Sequence, residues 1–516
     1  MPLSVDPLAG PTAPSTCVAA LADIHAAAYD IVNVIGGRNV ATGCTIPILV
    51  PHAHSVQLGQ LHCASPEHVS AAIESATGAA PWWGRLDWEE RAAPFARAAD
   101  LLEAGPWRDR LVAAAMLELS KTWREADGDA AAETIDLIRA NIKNMLAMYA
   151  DQPYSPPGVR NHVQYRPLEG FVFAVSPFNF VSTSNLAFGP ALLGNTVVWK
   201  PAENASLGAH LVLQLLREAG LPDGVVNVVY GPGRDIGQVA LNHRDLAAVN
   251  FTGSTATFQG IWRTVGENIT RYRNYPRLVG ETGGKDFTLA HPSVDLEALA
   301  VACVRGGYEY QGQKCSAPSR LYLPRSLWPA LRQRLVELTR QTVVGDPTEP
   351  GIHIGGVINA SQFRKHADAL ARARAEGLVV VGGHTDDSTG WFVDPTVLQV
   401  SDPHSWFMTE ELFAPVITAF VYDDADWADV IRLVDESTVY GLTGAVFGTD
   451  EDALAQAADG LRYTAGNFYI NDKPTGPVVG QQPFGGSRAS GTNDKVGTVW
   501  NLIRFVSPLA VKRING

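Results

Sequence analysis

Phe171-Val-Phe-Ala-Val175, Thr196-Val-Val-Trp199, Val225-Val-Asn-Val-Val-Tyr230 and Ala247-Ala-Val-Asn-Phe251 recur at short intervals as β-branched and aromatic runs. Between them, residues 205–219, 235–242 and 256–265 place apolar side chains three and four apart, the spacing of one face of a helix. Strand, helix, strand in that rhythm predicts right-handed βαβ units. The fold class is therefore α/β, with an open parallel sheet covered on both faces. Ligands of such sheets lie beyond the carboxyl ends of the strands, so the polar residues that follow each run are the first candidates for a site.

Outward toward the C-terminus a second α/β series is predicted, with helical spacing at 326–342 and 426–434 and apolar runs at 378–381, 416–422 and 444–448. Residues 500–511 read as a last apolar strand, which needs a partner in its own sheet or in a second subunit. Toward the N-terminus, Pro153, Pro156, Pro157 and Pro167 mark a boundary over 152–170. Before it, residues 66–149 form an Ala-rich helical layer, clearest at 71–79, 91–104 and 130–150. That layer offers no side chain with evident chemistry. Residues 1–60, rich in Pro, Gly and Thr, read as an arm laid over the rest.

Composition narrows the function. A chain of 516 residues, 46% hydrophobic and 18% charged, suits a globular protein of two or three domains. A net charge of -13 without a basic block argues against nucleic acid or anionic membrane as a partner. No apolar run reaches the ~18 residues of a membrane span. Cys17, Cys44, Cys63, Cys303 and Cys315 are scattered without CxxC or zinc-ligand spacing, which implies a reducing compartment and no disulfide framework. The cluster of His52, His54, His62 and Cys63 fits no strong metal motif, so pairing histidines are expected and no metal. Residues 1–29 lack Arg and Lys and carry acidic residues, unlike a secretory signal or transit peptide. The expected home is a bacterial cytoplasm.

Gly312-Gln-Lys-Cys315-Ser-Ala-Pro-Ser-Arg320 places one thiol on a polar, Gly-led turn between helical spacing at 296–310 and the run Leu321-Tyr-Leu323. A nucleophile there would be exposed and well aimed, with Lys314 and the turn amides favouring its thiolate; an inert thiol is the alternative. Glu281 in Glu281-Thr-Gly-Gly-Lys285 could serve as a general base for water, its pKa raised by partial burial, or could be a solvated loop residue. The amide of Asn179, just after the first strand, could donate to an oxyanion together with the Cys315 N–H, or could close an Asx turn. Lys200 and Glu203 end the second strand. A carboxylate there holds adenosine ribose hydroxyls and repels a 2′-phosphate, which favours NAD over NADP, although both residues are also ordinary at strand ends. Gly253-Ser254-Thr255 opens a helix whose free amides suit a pyrophosphate, although no GxGxxG is present.

Taken as a set, Pro177-Phe-Asn-Phe180, Lys200-Pro-Ala-Glu203, Phe251-Thr-Gly-Ser-Thr255, Glu281-Thr-Gly-Gly-Lys285, Gly312-Gln-Lys-Cys315, Glu410-Glu-Leu-Phe413 and Pro483-Phe-Gly-Gly486 resemble the aldehyde dehydrogenase superfamily in order and spacing. Glu281-Thr282, Cys315-Ser-Ala317 and Gln481-Gln-Pro-Phe-Gly-Gly-Ser-Arg-Ala-Ser-Gly-Thr-Asn-Asp494 closely resemble one branch of it, the Δ1-pyrroline-5-carboxylate (L-glutamate γ-semialdehyde) dehydrogenases. The resemblance implies an aldehyde dehydrogenase fold with a Rossmann-like NAD domain, an α/β catalytic domain and a β oligomerisation arm. Residues 1–150 would be an N-terminal arm and helical layer of the NAD domain, 151–170 an oligomerisation hairpin, and 171–279 the NAD-binding core. Residues 280–475 would form the catalytic domain, 476–494 the substrate anchor loop and return to the NAD domain, and 495–516 the strand that pairs with the hairpin.

The implied activity is NAD-dependent oxidation of the semialdehyde to L-glutamate, the second step of proline catabolism, through a Cys315 thioester. Asn179 and the Cys315 N–H would hold the oxyanion, and Glu281 would activate water. Ser176, Lys200, Glu203, Gly233, Gly253, Ser254, Thr255, Ala256 and Thr257 would bind the cofactor, with Glu411 and Phe413 at the nicotinamide ribose and ring. Phe180 and Phe484 would flank the substrate chain, and Ser316, Gly476 and Pro477 would take its α-carboxylate and ammonium. A strand-exchanging homodimer and a separate proline dehydrogenase partner are also implied. Three residues depart from the pattern: Phe258 where glycine is frequent, Pro477 where Ser or Ala is common, and Asp286 where Asn is usual. An aldehyde dehydrogenase of other specificity and a non-catalytic binding protein on the same fold are the competing readings.

Overall fold

The computed structural model describes residues 10–514. Its first sheet has seven strands in the order Arg277–Glu281, Leu246–Thr252, Phe171–Ser176, Thr196–Pro201, Val226–Val228, Asn33–Ile35 and Arg38–Val40. The first five are parallel, and the last two close that edge as antiparallel strands. Side chains alternate across a strand, and both faces are covered, so each strand is apolar throughout. Val172, Ala174, Val197 and Trp199 join one core, while Phe171, Phe173, Val198 and Val249 join the other.

The second sheet, also of seven strands, runs Val379–Val381, Thr396–Val400, Val416–Tyr422, Pro318–Pro324, Asp286–Ala290, Thr443–Phe447 and Asn467–Ile470. All neighbours pair parallel except Val379–Val381, which is antiparallel to Thr396–Val400. The two sheets are joined by Glu281 to Asp286, the end of one strand and the start of another.

Several elements differ from the sequence reading. The run at 225–230 is in the ladder only over Val226–Val228. The described part of residues 1–60, expected as an arm laid over the rest, carries regular elements of its own; residues 1–9 and 515–516 lie outside the described residues. Helix Ser15–Ala26 buries Cys17, Ala20 and Ile24 in the main core, and Tyr29–Ile31, Ala53–His62 and Thr45–Val50 form a three-stranded sheet. Residues 500–511 are not one strand: Thr498 caps a short helix, Val499–Leu502, by accepting from the Trp500 N–H at 3.2 Å. Only Val506–Ile514 is extended, and it pairs antiparallel along Val159–Pro167 as a two-stranded ribbon.

The histidines near residue 60 have partners of their own. His52 meets Ser120 Oγ at 2.9 Å, His54 the Asp387 carbonyl at 2.8 Å, and His62 the Asp30 carboxylate at 2.9 Å. Among the described residues no group of three or more His, Cys, Asp or Glu is placed to hold a metal, and no helix is long and apolar enough to cross a membrane.

Candidate active site

Helix Leu296–Tyr308 ends in a tight turn, Glu309–Gly312, in which Tyr310 and Gln311 take positive φ of 54° and 55°. Gly312 continues it at φ 67°, and a Cβ there would collide with the Ala414 carbonyl oxygen. This left-handed run reverses the chain and sets Cys315 just ahead of strand Pro318–Pro324. Cys315 is half-buried rather than exposed. Lys314 does not attend it: its ammonium is paired with Glu309 Oε2 at 2.9 Å, on the preceding turn. The thiol is instead pushed well above its ordinary pKa, first by burial and then by Asp286, Glu281 and Glu411. At rest the sulfur keeps its proton and needs a base to lose it.

Glu281 ends strand Arg277–Glu281 and is buried, with Oε2 accepting from the Gly486 N–H at 2.9 Å. Burial pushes its carboxyl up to about 8, against the pull of the Gly486 N–H and Lys495. The two glycines that follow permit close approach. A Cβ on Gly283 would collide with the Glu411 carboxylate, and one on Gly284 would lie 2.5 Å from the Cys315 carbonyl oxygen. Gly284 N–H also donates to Glu411 Oε1 at 3.0 Å. Asn179 is buried, and its Nδ2 donates to the Gln313 carbonyl at 3.1 Å, tying its loop to the nucleophile loop.

These three side chains line one cavity of about 450 Å³, which extends from Thr252, Gly253 and Ser254 to Phe180, Phe484, Ser316, Thr475, Gly476 and Pro477. Glu411 and Phe413 line it as well. Phe413 sits at φ 59°, a left-handed position that is rare for an aromatic residue, and meets Phe178 edge to face at 5.9 Å. Ser316 Oγ and Thr475 Oγ1 are 2.7 Å apart, and Lys473 Nζ donates to the Thr475 carbonyl at 2.7 Å, holding the loop that leads to Gly476 at φ 77°.

The other expected cofactor residues lie off this cavity. Lys200 Nζ pairs with Glu203 Oε2 at 3.1 Å, and a Cβ on Gly233 would lie 3.8 Å from that ammonium. Ser254 Oγ accepts from the Thr257 N–H at 3.3 Å and caps helix Thr255–Glu267; the amides of Thr255 and Ala256 open the same first turn, where no intrahelical acceptor exists. Ser176 Oγ accepts from Trp199 Nε1 at 2.9 Å, so it faces the indole. Phe258 turns into the core, where its ring stacks on Phe251 at 5.5 Å and covers Gly280. Asp286 accepts from the Thr443 N–H at 2.7 Å through Oδ1, while Oδ2 has no partner among the described residues; burial pushes this carboxyl up to about 8.

Two cavity residues were missed in the helical layer, the apolar Leu137 and the acidic Glu133. Glu133 ends a π-helical segment, Asp127–Glu133, and lines the cavity. Burial and then Asp129 push its carboxyl up to about 7. The available signal was Asp129 and Glu133 four apart around Ala130, Ala131 and Ala132, two acids on one face of an otherwise apolar segment.

Two α/β halves, a thiol, a carboxyl and an amide lining one cavity and a capped helix N-terminus beside it define an enzyme built on a nucleotide-type sheet. The chain belongs to the aldehyde dehydrogenase family, whose pattern ("Aldehyde dehydrogenase family") matches residues 40–508. It is similar to the mitochondrial delta-1-pyrroline-5-carboxylate dehydrogenase of Bos taurus, at 43% identity over 501 residues, 96% of this chain and 89% of that protein. It is also similar to the NAD-bound crystal structure of the Delta-pyrroline-5-carboxylate dehydrogenase from Mycobacterium tuberculosis, with 44% identity, a TM-score of 0.93, and coverage of 100% of this chain and 97% of that one. A third similarity is to proline utilization A from Bdellovibrio bacteriovorus, at 26% identity and TM-score 0.92, covering 97% of this chain but 52% of that one.

The residues present fit a dinucleotide. A Lys–Glu pair and Gly233 lie together beyond one strand end, and the free first-turn amides of helix Thr255–Glu267 suit a pyrophosphate. Glu411 and Phe413 line the same cavity as Cys315.

Proposed function

We propose that this chain oxidises L-glutamate γ-semialdehyde, the open-chain form of Δ1-pyrroline-5-carboxylate, to L-glutamate with NAD. The observation that carries the reading is the meeting of Cys315, Glu281 and Asn179 in a cavity with a cofactor end and a polar substrate end. NAD, held by Lys200, Glu203, Gly233, the Gly253 to Thr257 turn and Glu411, supplies a hydride acceptor. Ser176, whose Oγ accepts from Trp199 Nε1, completes that set at the end of its strand.

Cys315 loses its proton to ionised Glu281, and its sulfur adds to the aldehyde carbon. Asn179 Nδ2 turns from the Gln313 carbonyl and, with the Cys315 N–H, donates to the oxyanion of the thiohemiacetal. Loss of hydride leaves a thioester on Cys315, with Phe413 fixing the geometry of that transfer. Once Glu281 has passed the thiol's proton to solvent, it takes a proton from water, which attacks the thioester carbon, and returns that proton to the departing sulfur as glutamate is released. Phe180 and Phe484 pack on the aliphatic chain. Ser316 and Gly476 hold the α-carboxylate while Pro477, without an N–H, shapes the loop, and Glu133 takes the ammonium.

In this reading residues 171–279 hold NAD, 280–475 deliver Cys315, and 476–494 anchor the substrate. The ribbon of Val159–Pro167 with Val506–Ile514, within the hairpin and strand expected at 151–170 and 495–516, serves a homodimer, supported by its exposed Leu509 and Ile514. A proline dehydrogenase supplies the cyclic imine, consistent with this chain matching about half of a proline utilization protein. Five free cysteines suit a cytoplasmic location. Semialdehyde-dependent NADH formation, abolished in Cys315→Ala, tests the reading; full turnover by that variant overturns it.

A further inference from the structure

Lys121 is an ammonium buried to 1% exposure in the helical layer, away from the reacting groups. Its Nζ meets Asp129 Oδ2 at 2.5 Å and lies 4.5 Å from the ring centroids of both Phe180 and Tyr310. Asp129 in turn accepts from the Val181 N–H at 3.0 Å and the Ser182 N–H at 3.1 Å, capping the turn that begins immediately after Phe180. On the other side, Tyr310 opens the left-handed run before Cys315, and its N–H donates to Glu125 Oε1 at 2.6 Å. Gln311 Nε2 donates to the carbonyl of Ser120, the residue before Lys121, at 2.8 Å. One cation therefore sits between an aromatic wall of the cavity and the base of the nucleophile loop.

We propose that Lys121 and Asp129 are positioning residues that set the spacing between the Phe180 wall and the Tyr310 to Cys315 loop, and through it the selectivity for the charged semialdehyde over neutral aldehydes. The inference rests on the semialdehyde reading above. A desolvated ammonium between two ring faces holds both rings by their quadrupoles, and its carboxylate partner fixes the backbone that carries one of them. Lys121 also favours the ionised form of Glu133, as Lys314 does, so its loss leaves that carboxyl more readily protonated and a weaker partner for the substrate's ammonium.

Steady-state kinetics of wild type, Lys121→Met, Lys121→Arg and Asp129→Asn on the semialdehyde and on propionaldehyde test this. Lys121→Met is expected to lower kcat/KM for the semialdehyde roughly tenfold or more, mostly through KM, with KM for NAD and the propionaldehyde value changed by less than about threefold. Asp129→Asn moves the same way, and Lys121→Arg, which keeps a cation over the rings, recovers most of the loss. Equal losses on both aldehydes, or an Arg variant no better than Met, overturn the positioning role. If Lys121→Met does not fold, Tyr310→Leu removes one ring without changing charge, and wild-type selectivity in that variant is equally fatal. A wild type active on propionaldehyde but inert toward the semialdehyde overturns both the substrate reading and this inference, whereas an active wild type with unselective variants overturns this inference alone.

Discussion

The pH dependence of turnover exposes the Glu281 assignment most directly. Burial holds this carboxyl at about 8, so its ionised fraction is about a tenth at pH 7, half at pH 8 and nine-tenths at pH 9. Where attack of water on the thioester limits the rate, kcat should rise roughly fivefold from pH 7 to 8 and roughly tenfold from pH 7 to 9. The stability sign is opposite. A carboxyl raised from 4.5 to about 8 keeps its proton in the native state while the unfolded chain has lost it, so its contribution to stability falls as pH rises across that window. Glu281→Gln removes the titration and keeps an acceptor for the Gly486 N–H. Stopped-flow mixing of this variant with NAD and substrate should show no fast burst of NADH, because the thiol has lost its base, and turnover lower by about 10²–10⁴, with a Tm gain over wild type larger at pH 8.5 than at pH 6. A wild-type kcat flat from pH 7 to 9, or a Gln variant turning over within about tenfold of wild type, would refute the reasoning.

Three further outcomes are expected. Asp286→Asn keeps an acceptor for the Thr443 N–H but removes the carboxylate that, after burial, does most to raise the Cys315 thiol, so alkylation of Cys315 by iodoacetamide should reach half its maximal rate at lower pH than in wild type; an unmoved profile counts against it. Glu133→Gln should raise the semialdehyde KM roughly tenfold or more while sparing propionaldehyde, because only the former brings an ammonium to that carboxylate; equal effects in a substrate panel would exclude the contact. Glu118→Ala should lower stability by about 2–4 kcal/mol in urea melts, because its buried carboxylate accepts from the Leu207 N–H at 2.7 Å and the Gly208 N–H at 2.9 Å and would leave both orphaned. A change under about 0.5 kcal/mol would mean that water replaces it.

The location of the site was legible because sheet register does the placing. Phe251 pairs with Val175 and Thr252 with Glu281, so Ser176, Gly253 and Glu281 reach the same carboxyl edge of the first sheet, the edge singled out by the βαβ rhythm. In the second sheet Asp286 pairs with Pro318, and Gly284, two residues before the one, lies beside Cys315, three before the other. The Gly283-Gly284 step is thus the crossing between the two halves. Its glycines have a packing reason that sequence alone reduces to flexibility.

What was not legible depends on contacts that nearness in sequence misrepresents. Lys314 is adjacent to Cys315 along the chain, yet the turn Glu309–Gly312 brings Glu309 to its ammonium, and the thiol is left with three carboxyl groups from other elements and a raised pKa. Glu133 looked like part of a packed helical layer, because the π-helical turn Asp127–Glu133 that precedes Thr134–Ala150 has no mark in the apolar spacing. Lys121 illustrates the same limit more sharply. A lone lysine before Thr122 reads as a solvated residue, and only the placement of Asp129, Phe180 and Tyr310 around it, from three separate segments, makes it an interior cation. Strand ends, Glu281 and Asp286 among them, locate a site from sequence because backbone pairing is periodic; Glu411, Glu133 and Lys121 come from loops and an irregular helix, where no period exists to read.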